Sequence, residues 1–257
     1  MTMPFTSLRS RLRAAGLHAG ASAVVAALAS LLVFLLWYPS PFATIAGGSQ
    51  LFLLLVAVDV VIGPALTAVV VSPGKRRGEL VRDLAVIVML QLAALGYGLY
   101  TMALARPVAL VFELVEFRVV TAADLDPASL HEAPPELREL SWRGPTLMAA
   151  AKPSSPEEQV RVAELGLAGI QLSMLPSFWR DYPAHADAAW RVARPVSALL
   201  ARYPGAAADL ARIAEAAAAR PQDLRFLPLR SRHAEWVILL AEPGARVVGY
   251  LPFDGFF

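Results

Sequence analysis

Three apolar runs occupy the first hundred or so positions, at about Leu17–Tyr38, Leu51–Val71 and Leu84–Leu104. A membrane-crossing helix takes about 20 mostly apolar residues, so each run predicts one span and residues 1–106 read as a membrane domain. Beyond Arg106 the apolar stretches shorten and Pro, Gly and charged residues separate them, which predicts an α+β or α/β domain over 107–257. Val108–Phe112 and Glu113–Val120 read as one long strand or two short ones, and Thr146–Ala151 as another. Ser155, Pro156 and Glu158 form a helix start, with a capping hydroxyl, a proline in the first turn and a glutamate three residues on. That helix should run to Gly166 or Gly169. Further helices are expected over Ala186–Tyr203 and Ala206–Arg220, a loop with a short helix over Asp124–Pro145, and closing strands at Leu224–Leu229, Glu235–Ala241 and Arg246–Leu251. The pattern does not fix the strand order.

Charge sets the direction of the spans. The loop Ser72–Asp83 carries Lys75, Arg76, Arg77 and Arg82, the loop Pro39–Gln50 carries no charge, and Arg9, Arg11 and Arg13 precede the first run. Short cytoplasmic loops accumulate Lys and Arg, so the expectation is a cytoplasmic N-terminus, three crossings and an outward C-terminal domain. The first run would also suit a secretory signal, but it exceeds the roughly 7–15 residues of a signal core. It ends in Trp37, Tyr38 and Pro39 rather than in a small-residue cleavage site, so it is read as a retained span.

Only 17% of the chain is charged, against roughly 25% in soluble domains, which a lipid-embedded part explains. Eight Lys or Arg stand against three acids up to Arg106, and fifteen against eighteen beyond it. The basic pI of about 9.1 therefore belongs to the membrane half. With no basic run interleaved with aromatics in the second half, nucleic acid is excluded as a partner. The absence of cysteine excludes disulfides, thiolate metal sites and thiol nucleophiles.

Asp59 falls near the middle of the second span, where a carboxyl group needs a partner, water or a proton. Gly63 and Thr67 follow it at four and eight residues, Pro64 is placed to kink the helix and free a carbonyl, and Gln91, Ala94, Gly98 and Thr101 make a small or polar face on the third span. Counted by depth, Tyr97 is the expected hydroxyl partner of Asp59. Three roles are open for Asp59: joining the bundle together, contacting a partner's membrane helix, or moving protons. A lone acid on three helices offers no relay for the last.

No catalytic or cofactor motif stands out. His131, His185 and His233 lack metal-ligand spacing, and Pro73–Gly74–Lys75 lacks the first glycine and the hydroxyl residue of a phosphate loop. No cofactor or metal is expected, and nothing argues for an enzyme. Apolar surface is the more tangible candidate for binding: Phe253, Phe256 and Phe257 crowd the last five positions, and Phe178 and Trp179 lie between Pro176 and Pro183. Each group either folds onto the domain core or contributes to a partner surface.

The segment WYPSPF from Trp37, the segment VDVVIGPALTAVVVSPGK, and the segment RDLAVIVMLQLAALGYGLYTMALARPVALVF resemble the type IV pilin accessory proteins of Gram-negative bacteria, the TfpX/TfpZ group. The resemblance covers about residues 37–112 and includes Asp59, Gly63, Pro64, Lys75, Asp83, Gln91, Tyr97, Gly98, Arg106 and Pro107. It implies a bacterial inner-membrane accessory factor or chaperone with a periplasmic domain, whose partner is a type IV pilin and whose surroundings are membrane lipid. It brings no catalytic residues. The alternatives are a membrane-anchored sensor, which would need another protein for its output, and a periplasmic enzyme.

Overall fold

A computed structural model describes residues 4–72 and 75–257; Pro73 and Gly74 lie outside the described residues. Helix α1, Pro4–Leu31, continues through a wider π-helical stretch, Leu32–Trp37. After the short α2, Phe42–Ile45, the helices α3, Gly48–Ala57, and α4, Gly63–Val70, are joined by π-helical Val58–Ile62 into one rod. Helix α5 runs over Arg77–Ala105. The rods Leu8–Trp37, Gly48–Val70 and Arg77–Ala105 have 30, 23 and 29 residues and are apolar enough to cross a membrane. The shortest spans about 35 Å at 1.5 Å per residue, against a hydrocarbon layer of about 30 Å.

The chain divides into two compact units. One contains the residues up to Trp37 with Gly47–Leu104; the other contains Tyr38–Ala46 with Ala105–Phe257. In the first, α1 packs along α4. Arg11 of α1 donates to the Ser72 hydroxyl (2.8 Å), and Lys75 is paired with Asp83, so the basic stretches lie at the same end of the bundle.

In the second unit, strands β1, Pro107–Glu113, and β2, Glu116–Thr121, form a hairpin whose Leu114 takes a positive φ of 56°. They are followed by β3, Thr146–Ala150, helix α6, Pro156–Leu167, and a three-residue strand β4, Trp179–Asp181. Helix α7, Ala186–Val192, the two-residue β5, Arg194–Pro195, and helices α8, Val196–Arg202, and α9, Ala207–Ala216, come next. Strands β6, Arg225–Arg230, β7, Glu235–Ala241, and β8, Arg246–Leu251, close the unit. The sheet order is β4-β3-β1-β2-β6-β7-β8, with β5 on β6. Strand β3 runs parallel to β1 and β6 parallel to β2, while the other pairs are antiparallel. A three-helix anchor followed by an α+β domain is thus the observed class.

The Ser155 cap behaves as its sequence dictates. Its hydroxyl accepts from the Glu158 amide, and Glu158 turns back to accept from the Ser154 and Ser155 amides, which holds that carboxyl below the usual glutamate range. Two expected helices are corrected. The Ala186–Tyr203 helix is broken at Arg194–Pro195, because Pro195 offers no amide and biases its predecessor toward extended backbone, which here pairs with β6. The Ala206–Arg220 helix ends at Ala216, and Ala218 then takes a φ of 53°.

Segment Tyr38–Ala46 is more than a connector. Phe42 and the fully buried Ile45 belong to the same core cluster as Phe117, Leu227, Leu229 and Ile238. Phe42 meets Tyr250 edge-on at 5.5 Å, and the Ser231 hydroxyl donates to the Ile45 carbonyl at 2.5 Å. Gly144, at φ 72°, lies so close to Pro39 that an added Cβ would come within 2.5 Å of its ring. The domain core is therefore assembled from two stretches of chain far apart in sequence.

Candidate functional site

Asp59 is the twelfth of 23 residues in the rod Gly48–Val70 and sits in its π-helical turn. In the i→i+5 register of such a turn, the partner of the Asp59 carbonyl would be the amide of residue 64, which is a proline and has none. The freed carbonyl is taken up from the neighbouring rod: Gln91 Nε2 donates to it at 2.9 Å. Gly63 makes the approach possible, since a Cβ there would fall 2.1 Å from Gln91 Nε2. Asp59, Gly63, Pro64 and Gln91 thus act together, with the glycine giving room, the proline leaving an orphaned carbonyl and the glutamine satisfying it.

One turn further along, Thr67 is 2% exposed and shares a 2.6 Å hydrogen bond with His18 Nδ1 of α1. Ser22, one turn beyond His18, is also buried. Polar side chains from all three rods therefore gather in a layer otherwise apolar. Between α1 and α5 they border a cavity of about 170 Å³, lined by His18, Ser22, Asp59 and Gln91 with apolar neighbours such as Val25 and Leu92. Asp59 is 7% exposed. Its Oδ1 and the Oε1 of Gln91 are both buried without a hydrogen-bond partner. Buried polar atoms are usually satisfied, so two such acceptors within one layer set it apart. Among the described residues, no group of three or more His, Cys, Asp or Glu gathers to hold a metal.

Tyr97, expected to satisfy Asp59, does not. It is 73% exposed and lines a separate hollow with Leu54, Leu55 and Gly98. Gly98 marks a close approach, where an added Cβ would lie 2.3 Å from Leu55 Cδ1. His18 and Ser22 were not anticipated, although their spacing of four residues within the first apolar run was a signal for one polar face.

Of the two outcomes left open for the aromatic candidates of the second unit, their contacts are mostly those of folding onto the domain core. Trp179 is fully buried and its Nε1 donates to the Ser173 carbonyl at 2.8 Å; Phe178 packs partly buried against the same cluster. Trp179 is therefore core and offers no accessible surface. Phe253 stacks on Tyr203 at 4.8 Å and Phe257 on Phe226 at 6.0 Å, while the Arg230 guanidinium covers Phe256 at 4.1 Å. Arg194 covers the Phe257 ring at 4.4 Å and donates to its main-chain oxygen. Gly255 fits against Pro228 and Val237, each within 2.9 Å of where a Cβ would stand. This segment folds back on β6 and β7, and only Phe257 of the three is classed as exposed, at 44%. At the start of the domain, Arg106 is 6% exposed beneath the Trp142 ring, 3.8 Å from its centre, and burial lowers its pKa.

Comparison with known proteins places this architecture. The family model described as fimbrial assembly protein FimB matches residues 6–47, which cover α1 from its third residue, its π-helical extension and the whole Tyr38–Ala46 segment built into the domain core. Over 227 residues, 88% of each chain, the sequence is 34% identical to the fimbrial assembly protein of serogroup I from Dichelobacter nodosus. It is 33% identical over the same share to the serogroup E1 protein of that organism. To the protein of serogroups C1 and C2 it is 44% identical over 110 residues, 43% of this chain and 84% of that one. No solved structure matches. The family expectation drawn from residues 37–112 is borne out, and with a third of its residues shared along 88% of its length, the chain belongs to the fimbrial assembly protein family.

Proposed function

We propose that this protein is an accessory factor of pilus assembly that binds a type IV pilin in the bacterial inner membrane and stabilises it before incorporation. The single observation that carries the reading is the kinship with fimbrial assembly proteins along 88% of the chain. The architecture supports it. A subunit waiting in the membrane exposes an apolar helix and a head that its neighbours in the fibre would later cover, and a three-rod bundle joined to a folded domain can meet both. Binding without catalysis suffices, because a partner that binds the waiting state stabilises it by mass action and shields it from proteolysis. With the basic stretches cytoplasmic, the α+β domain is periplasmic.

The test is deletion of the gene in cells grown where pili are made. Surface pili and the level of the matching pilin should fall while pilin transcription is unchanged. Unchanged pilin level, pilus number and twitching movement would refute the reading.

A further inference from the structure

We propose that two loops of the α+β domain, 141–144 and 231–234, rest in the phospholipid headgroup layer, with Trp142 at the interface and Arg143 and Arg232 on lipid phosphates. The inference rests on the three rods crossing a bilayer and is independent of the pilin-binding reading.

Short joints connect the rods to the second unit. The first rod ends at Trp37, just before Tyr38 and Pro39; the second begins at Gly48, three residues after Ile45; the third ends at Ala105, next to Arg106. The excess length of the first and third rods lies at their charged ends, 9–13 and 77–83. Their apolar ends therefore leave the hydrocarbon directly, and the joints stand at headgroup level.

Contacts inside the second unit bind both loops to these joints. Gly144 lies against Pro39, with no room for a Cβ. Arg106 donates to the Ser141 carbonyl at 3.3 Å and underlies the Trp142 ring. The Arg106 carbonyl accepts from the Ala122 amide at 3.0 Å, and Asp124, in the same turn, is paired with Arg232. The neighbouring Ser231 donates to the Ile45 carbonyl. Three joints at one level fix a plane, and the loops are held on it.

Their exposed side chains match a headgroup layer. Trp142 is 57% exposed although it covers Arg106; tryptophan is highly buried on average in soluble domains and concentrates at membrane interfaces. Arg143 and His233 are exposed, the Arg232 side chain is 64% exposed, and neither loop contains an acid. Asp124 positions Arg232 without covering it. Arginine forks match phosphate oxygens in pairs. Continuity with the bilayer that the rods enter makes the lipid headgroup the occupant.

The experiment uses the full chain in nanodiscs of phosphatidylethanolamine and phosphatidylglycerol, without pilin. Because the sequence has no cysteine, single nitroxide labels are attached through Arg143→Cys, His233→Cys and, as the aqueous control, Val115→Cys. Val115 is 61% exposed at the far end of β1, seven strand residues or about 23 Å from the Arg106 joint at 3.3 Å per residue. Collisions with a water-soluble nickel chelate should be several-fold rarer at 143 and 233 than at 115, while collisions with oxygen, which partitions into lipid, are no rarer. Lipids brominated near the glycerol end of their chains should quench wild-type tryptophan fluorescence more than that of Trp142→Phe, and Arg143→Glu should cut Trp142's share several-fold. The quenching decides the matter if a label disturbs its loop. Nickel collisions as frequent at 143 and 233 as at 115, or quenching that neither Trp142→Phe nor Arg143→Glu moves, would overturn the proposal. Labels shielded from nickel and oxygen alike would mean burial in protein and overturn it too. The pilin-binding reading stands or falls separately, on the deletion strain.

Discussion

Replacing Ile45 by alanine asks how much of the domain's stability resides in a segment that the chain lays down between its first two membrane rods. Ile45 is fully buried among Leu227, Leu229, Ile238 and Leu240, and its carbonyl accepts the Ser231 hydroxyl. Truncating a core isoleucine to alanine costs about 2–5 kcal/mol, from lost transfer energy and the cavity left behind. Against a total of about 5–15 kcal/mol for a typical domain, that is a large fraction, and it should lower the melting temperature by roughly 4–20 °C for a domain of this size. The assay is urea or thermal unfolding of the full chain in detergent, followed by tryptophan fluorescence, to which the second unit contributes Trp142, Trp179, Trp190 and Trp236. Thr44→Ala is the control: it lies in the same segment but is exposed, so it should change stability by less than about 0.5 kcal/mol. An Ile45→Ala midpoint indistinguishable from that of Thr44→Ala would refute the assignment of this segment to the core. So would a fragment of residues 105–257 as stable as the domain in the full chain.

In the bundle, Gly63→Ala should displace the Gln91 amide and cost roughly 0.6–1.7 kcal/mol of interhelical hydrogen bonding, read as reduced steady-state protein in membranes; Gly98→Ala meets only the flexible end of Leu55 and should lower the level less. Equal effects would show that the Gln91 contact contributes nothing. For the topology, a reporter active only outside the cytoplasm should work when fused after Gly48 or Asp126 and fail after Gly78; activity at Gly78 would reverse the assignment of the basic loop.

The rods were legible because length and apolarity alone specify them, and the Asp59, Gly63 and Gln91 positions because a polar residue at mid-span has to be accounted for. Choosing Tyr97 as the Asp59 partner failed on two counts. Depth was counted from Leu51, whereas the rod begins at Gly48, an offset of about 4.5 Å at 1.5 Å per residue. Depth also says nothing about rotation: Tyr97 is six residues past Gln91, about 240° further around a helix of 3.6 residues per turn, and so faces elsewhere. Short strands were found where apolar runs were bounded by turns, but β4 and β5 were missed, because strands of three and two residues have too few positions to show a period. The role of Phe42 and Ile45 was hidden because local pattern carries no information about partners far away in the chain. The uncharged, aromatic composition of residues 37–42 was the available clue.

The separation of the two halves of that core also sets a timetable for biogenesis. Ile45 and Ser231 are 186 residues apart, and a chain emerging at roughly 5–20 residues per second takes about 10–40 s to deliver the second after the first. Through that interval Phe42 and Ile45 have none of the strands β6–β8 to cover them, and a chain that stops short of β6 never supplies them. The core thus closes only once nearly the whole polypeptide has been made, so incomplete copies keep an apolar segment uncovered where quality-control proteases can find it, while finished copies hide it.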